Sequence, residues 1–472
     1  MRVVRLWKIT IVKTLDNGIG NVSHGISLND PDRAGSDRGA AGCRESYNSR
    51  NRSMQMPHAI RSNESTAKRG AGAMLALNSG SSSIKFSLFD GEFRRLLSGK
   101  LDRIGLADSH LHVSDGNGAD LARECVSLPH RSAAVQLLSK WLEEHGDLAH
   151  VAGVGHRIVH GGPRFEAPEK VTASVIGDLR KLTPLAPNHL PMEIDAVEAV
   201  HHLHPSLRQV VCFDTAFHRS LPATARLFAL PRALLDRGIV RYGFHGLSYE
   251  SIVNSLSERK ALPPRLVVAH LGNGASLAAI REGRSVDTTM GMTPTGGIPM
   301  GTRSGDLDPG VLLYLLRQGY TQAQVEEAVE KKGGVLGLSG TTSDMKDLLA
   351  RAGSDSAAAE AVDVFCYAIR KTIAAYAAVL GGLDAIVFTG GIGENAAPIR
   401  AQAVEGLAFL GIEIDAARNA QNASVISPDG APVLVRVMAT DEELMVARHT
   451  QRVLGIQQEE FHGLPARKTR PA

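Results

Sequence analysis

Two arginines stand out: Arg303 in "GTRSGDLDPG", among neighbours too small to hide it, and Arg157 in "GHRIVHGG", between His156 and His160. A guanidinium is planar, permanently charged and forked, which suits the oxygens of a carboxylate or of a phosphoryl group in transfer. Taken alone, either arginine fits a structural ion pair equally well. His189 in "LAPNHLP", His245 in "RYGFHGLS" and His270 in "AHLGNGAS" lie close to Gly or Pro, with no Cys or Glu at zinc-ligand spacing. Hydrogen-bond donation to phosphate is therefore expected of them rather than metal binding. Asp214 in "VVCFDTAFH" follows an apolar run and is a candidate base or orienter. Asn78, Glu442 and Glu443 offer the amide and carboxylate oxygens that Mg²⁺ prefers, although acids opening a helix also match the helix dipole.

The segment "MLALNSGSSSIKFSLFD" reads as strand, polar turn, strand, with Lys85 a point charge on the returning strand. "LVVAHLGNGASLAAIREG" repeats that design near residue 270, which suggests two related halves, each presenting a turn to one cleft. "FTGGIGENAAPIR" is expected to form a strand, a Gly-rich turn and a helix whose first N–H groups face a nucleotide. No G-x-x-x-x-G-K-[ST] loop is present. "SGTTSDMKDL" places Asp344 and Lys346 for the nucleoside end. Together these point to nucleotide-dependent phosphoryl transfer, in which positioning and charge neutralisation do most of the catalysis.

The elements that must carry these residues are those of a layered α/β protein. Beyond Ala73, strand-like runs such as "HVAGVGHRIVHGG" and "LRQVVCFDTAFH" alternate with helical patterns, and polar residues follow the strand ends. "AVDVFCYAIRKTIAAYAAVLGG" is helical, with Val362, Phe365, Ile369, Ile373, Tyr376 and Leu380 on one face and Gly381 and Gly382 as the stop. The chain has 472 residues, 43% hydrophobic and only 4% aromatic, so its cores are built from Ala, Val, Leu and Ile. A net charge of +3, its basic excess lying mostly in the first seventy residues, gives no sign of a nucleic-acid partner. No apolar run is long enough to cross a bilayer. Cys43, Cys125, Cys212 and Cys366 are scattered singly, as suits a reducing cytoplasm. Residues 1–72 read as a disordered or artefactual extension and 457–472 as a loose tail.

The ordered series "NSGSSSIK", "GHRIVHGG", "LAPNHLP", "FDTAFH", "RYGFHG", "HLGNGAS", "TPTGGIPMGTRSGDLDP", "SGTTSDMKD", "GGIGEN" and "DEEL" resembles the acetate kinase (acetokinase) family over nearly all of residues 74–455. The resemblance implies duplicated ribonuclease-H-like domains of the actin and sugar-kinase type, with mixed sheets flanked by helices and a nucleotide cleft between two lobes. The expected lobes are 73–218, joined by a C-terminal helix at about 443–456, and 219–442. It further implies a homodimer that transfers the ATP γ-phosphoryl group to acetate, reversibly and in line, with Mg²⁺ or Mn²⁺ as cofactor. Carried over by position, Asn78 and Glu442 resemble the metal residues, and Ser81, Ser83 and Lys85 the phosphate loop. Asp214, His245 and Arg303 resemble the catalytic residues. Arg157 and His189, with Val159, Phe244 and Pro294 around a methyl group, resemble the substrate site. His270, Leu271, Gly272, Asn273, Gly274, Asp344, Met345, Lys346, Gly391, Ile392, Gly393, Glu394 and Asn395 resemble the nucleotide contacts.

The chain departs from the family pattern at Asn188, Leu190, Leu247, Tyr249, Gly296 and Asp441, which leaves acetate against propionate or butyrate open. A non-catalytic ATP-binding module and a sugar kinase are the further alternatives, since fold does not fix function. The apolar trio Val159, Phe244 and Pro294 speaks against a sugar.

Overall fold

The computed structural model describes residues 72–456 other than Ser81 and Gly146. The expectations for residues 1–71, for 457–472 and for Ser81 lie outside the described residues.

The first sheet is built from β1 (Ala73–Ser79), β2 (Ile84–Phe89), β3 (Arg95–Asp102), β4 (Ser109–Asp115), β5 (Asp120–Val126), β6 (Val151–Ile158), β7 (Glu169–Lys170) and β8 (Gln209–Phe213), in the order β5-β4-β3-β2-β1-β6-β8-β7. The second contains β9 (Arg265–Leu271), β10 (Ala275–Arg281), β11 (Arg284–Thr288), β12 (Ala385–Thr389) and β13 (Leu434–Val437), in the order β11-β10-β9-β12-β13. Within the first, β3-β2-β1-β6-β8 is an antiparallel meander with two parallel strands added beside its first strand. The second sheet has the same arrangement. The duplication suggested by the two hairpins is thus present in the topology, and the fold is a mixed α/β architecture of two sheets flanked by helices.

The central strands are apolar runs buried on both faces: β8 and β12 have no exposed residue. Helices cover them. Helix Glu442–Leu454 lies on β1, β6 and β8, and Gly155 of β6 makes that contact possible, because a Cβ there would sit 2.2 Å from Thr450 Oγ1. Helix Ser356–Leu380 starts at Asp355, whose side chain accepts the Ala357 and Ala358 N–H groups, buries the face expected from its periodicity, and stops at Gly381 in the left-handed region. One apolar cluster runs from Ile158, Val159 and Phe213 through Phe244 to Leu271, Ala275 and this helix. The two sheets therefore share a core, and the ends of β1, β6, β8, β9 and β12 supply residues to one region.

Candidate functional site

Asn78, on β1 opposite Lys85 of β2, is where the first hairpin contributes. Its Nδ2 donates to Glu442 Oε2 at 3.2 Å, and its Oδ1 accepts from Arg157 Nη1 at 3.2 Å. Arg157, at the end of β6, also grips Asp214 with two parallel bonds, Nε to Oδ1 at 3.0 Å and Nη2 to Oδ2 at 2.5 Å. Glu442 Oε2 lies 3.7 Å from Arg157 Nε. Burial disfavours the charge on Arg157, but Asp214 and then Glu442 outweigh it and raise its pKa. Burial likewise pushes the Asp214 carboxyl up, and the guanidinium opposes it. Three of the five Arg157 N–H groups are thus taken by protein acceptors, and two are left for another oxygen. Lys85 is exposed at this edge, near enough to His270 and Glu443 for its charge to act on both.

The second half presents histidines and an arginine of different character. His245 precedes helix Gly246–Glu258 in a left-handed backbone conformation (φ 56°), which costs a non-glycine residue about 1–2 kcal/mol. The Gly246 N–H holds it there by donating to Asp214 O at 3.0 Å, which joins His245 to the end of β8. Its Nδ1 meets Ser276 Oγ at 2.8 Å, and Ser276 Oγ meets the hydroxyl of fully buried Tyr249 at 2.5 Å. A buried tyrosine proton needs an acceptor, so Tyr249 donates to Ser276, Ser276 donates to Nδ1, and the His245 proton is assigned to Nε2. The His245 and His270 rings stack at 4.2 Å, and His270 Nδ1 is held by Ser248 Oγ at 2.8 Å.

Burial, then the neighbouring His270, Arg157 and Arg303, push His245 well below its usual value. His189, at the start of helix Leu190–Leu203, is held at about 4 by burial, then Arg303 and Arg157. His270 is also held at about 4, mainly by burial. All three rings are neutral donors near neutrality.

Arg303 joins them. A side chain on Gly274 would come within 2.9 Å of Arg303 Nη2 and 3.3 Å of His245 Nε2, so the second hairpin turn, the histidine and the arginine converge. Arg303 Nη1 donates to Pro294 O at 2.6 Å. Among the described residues no carboxylate pairs with Arg303, and burial lowers its pKa. Glu330 acts against that shift, and Arg157 adds to it. Val159 and Phe244 are buried in the shared core, and Pro294 is buried beside Arg303.

Gly272, Asn273, Asp344, Met345, Lys346, Gly391, Ile392 and Asn395 line one cavity of about 610 Å³, within the range of small-molecule sites. Leu271 is fully buried behind it. One expectation is corrected: Gly390–Asn395 is not a Gly-rich turn before a helix but a helical turn that begins directly at the end of β12. Gly390 is left-handed, which lets the chain turn at once into the helix, and its N–H donates to Glu394 Oε1 at 3.0 Å. The Gly393 carbonyl accepts from buried Arg400, so Glu394 and Gly393 brace the turn from within.

Sequence reasoning passed over Ser276, Ser248 and Arg400, and noted Tyr249 only as a departure. Strand alternation held one clue, since Ser276 lies directly opposite His270 in the β9–β10 register.

A duplicated two-sheet fold with a nucleotide-sized cavity beside paired and unpaired cationic groups is the architecture of a phosphotransferase. The chain belongs to the acetokinase family, whose pattern matches residues 73–448. It is 43% identical over 397 residues to an acetate kinase of Methylocella silvestris, covering 81% of this chain and 98% of that one. It is 44% identical over 393 residues to an acetate kinase of Rhodopseudomonas palustris, covering 80% and 98%. Among solved structures, a propionate kinase from Francisella tularensis superposes with a TM-score of 0.77 at 34% identity, covering 81% of this chain and all of that one. The Porphyromonas gingivalis acetate kinase superposes with a TM-score of 0.74 at 38% identity and the same coverage.

Proposed function

We propose that this chain is an acetate kinase, moving the γ-phosphoryl group of ATP to acetate to give acetyl phosphate and ADP, reversibly. The observation that carries this reading is Arg303: a largely buried guanidinium with no carboxylate partner among the described residues, beside an imidazole whose Nε2 lies at the same Gly274 turn. An unpaired buried cation is costly unless an anion comes to it, and a phosphoryl group in flight is such an anion. The carboxylate of acetate attacks the γ-phosphorus in line and needs no base, because it is already ionised at neutral pH. Arg157 orients that carboxylate through its remaining N–H groups, and Asp214 serves as the anchor that fixes Arg157 rather than as a proton acceptor. His189 and the walls Val159, Phe244 and Pro294 surround the acyl group.

Adenosine occupies the 610 Å³ cavity, and the Ser83 and Lys85 turn faces the phosphates together with Gly272–Gly274. The Asn78 amide adjoins Glu442 through its Nδ2, and its Oδ1, which accepts from Arg157, together with the Glu442 carboxylate supplies the hard oxygen donors that suit Mg²⁺, an ion that takes one or two protein ligands plus substrate phosphates. Bound there, Mg²⁺ would neutralise the β,γ-phosphates; Mn²⁺ shares the donor preference.

The working unit is a homodimer in this reading. Helix Pro309–Arg317 buries none of its residues and exposes Val311, Leu313, Tyr314 and Leu316, an apolar face suited to a second copy. We assign the protein to the cytoplasm, where ATP is available; among the described residues no helix is long and apolar enough to cross a membrane. The lobes are taken as 73–218 with 443–456, and 219–442.

Hydroxylamine trapping with Mg-ATP and acetate, propionate, butyrate or glycerol tests the reading. Hydroxamate forming fastest from acetate is expected. The fit to a propionate kinase gives a specific second reading, which faster reaction of a longer acid would favour. No hydroxamate from any acid would overturn both.

A further inference from the structure

One residue, Glu330, with the carbonyl before it, ties together three segments that the proposed site needs. Glu330 Oε2 accepts from Asn188 Nδ2 at 2.7 Å, and its Oε1 accepts from Thr295 Oγ1 at 3.0 Å. Its backbone carbonyl accepts from Thr302 Oγ1 at 3.0 Å, and the preceding Val329 carbonyl takes the Ser304 N–H at 2.8 Å. Each partner adjoins a residue already placed in the site: Asn188 precedes His189, Thr295 follows Pro294, and Thr302 and Ser304 flank Arg303. Asn188 leads into the helix packed on the first sheet, whereas Thr295 and Glu330 follow β11 of the second.

The local backbone is unusual in the same place. Glu330 sits in a π-helical turn, Glu327–Lys331, closed by the Lys332 N–H donating to Glu327 O at 2.9 Å. A π-turn inserts an extra residue and rotates the side chains that follow, and such turns gather at functional sites. A carboxylate has lone pairs enough to accept from Asn188 and Thr295 together, and hydrogen bonds to a charged acceptor are the stronger kind.

We propose that Glu330 is a positioning residue that closes the acid pocket, its carboxylate tying the His189 turn of one half to the Pro294–Arg303 segment of the other and so setting the length of acid admitted. The inference rests on the acyl-kinase reading above. Val159 and Phe244 lie in the apolar core that the two halves share, which leaves a polar contact to span the opening beside it. Asn188 and Glu330 supply that contact. Their bond joins the halves beside the acid site and touches none of the residues that line the proposed nucleotide cavity, so its loss acts on acid binding and leaves nucleotide binding alone.

The test uses the full-length protein with Asn188→Ala, Glu330→Ala, their combination and Glu330→Gln, each assayed by hydroxylamine trapping with acetate, propionate and butyrate. Asn188→Ala is expected to raise KM for acetate about tenfold, the loss of one hydrogen bond to a charged group, and Glu330→Ala, which loses the Thr295 bond as well, at least as much. KM for ATP and kcat at saturating acetate should stay within about twofold, with relative kcat/KM shifted toward the longer acids. The double variant should be no worse than the worse single, and Glu330→Gln, which keeps one acceptor oxygen, should fall between. Unchanged KM for acetate in Asn188→Ala, effects that multiply in the double variant, or KM for ATP rising in parallel would each overturn the proposal. Asn188 is a half-buried turn residue, so its variant carries the test if Glu330→Ala does not fold. Wild-type activity reports separately on the acyl-kinase reading: a wild type that makes no hydroxamate removes that reading and this inference with it.

Discussion

The β1–β8 sheet and the β9–β13 sheet carry the same meander with two parallel strands beside it, and both send a hairpin turn to the same place. On the first, Arg157, Asp214, Asn78 and Glu442 are bound to one another. The second offers His245 Nε2 and the guanidinium of Arg303, which among the described residues meets a carbonyl and no carboxylate. One copy of the duplicated fold stores its charge in mutual pairs and the other leaves it waiting. Paired charge holds geometry, and unpaired charge is available to a reacting group.

The largest test of this contrast is Asp214→Ala. It strands Arg157 in a buried site, so it should cost about 3–5 kcal/mol of stability as well as activity, read by denaturant unfolding and turnover. Arg303→Ala should instead lower kcat by about 10³-fold, as loss of an arginine finger does, while the denaturation midpoint barely moves. If Arg303→Ala unfolds the protein, or Asp214→Ala leaves its stability intact, the two halves do not differ as described. A smaller effect is expected from Tyr249→Phe. Without the phenol proton, Ser276 no longer fixes the His245 tautomer, and kcat should fall by about tenfold with KM for ATP unchanged; equal loss in both parameters would point to packing instead.

The contrast has a counterpart in pH. Burial holds His156, His160, His189, His218 and His270 at about 4, below the ordinary value of about 6.5 that they regain on unfolding. The unfolded chain therefore takes up protons first. The stability these neutral rings supply is full above about 6.5 and is lost as pH falls toward 4. Glu193 runs the other way: burial raises it to about 8, so its contribution is full in acid and lost as pH rises through that value. Thermal unfolding from pH 7 to 4.5 should show a falling Tm, and a flat profile would mean the rings are not buried neutral.

Much of this was legible in the chain. The hairpins at Asn78 and His270, the long helix to Leu380 and the strands before Arg157 and Asp214 follow from local apolar patterning and turn residues, which act over a few positions. The residues that support the site were not legible for the opposite reason. Tyr249 reaches Ser276 across 27 positions and Asn188 reaches Glu330 across 142, and nothing in either local pattern marks the partner. The helical start at Gly390 was misread because three glycines favour a loop on propensity alone, while the fit of that turn against β9 and the Glu394 cap overrides it.

The bond from the Gly246 N–H to the Asp214 carbonyl has a mechanical consequence. It fastens the residue after His245 to the anchor of Arg157, so main-chain atoms join the end of β8 to the start of helix Gly246–Glu258. The mutual placement of Asp214 and His245 is thereby set by backbone, which has no rotamer to lose, rather than by side-chain packing alone.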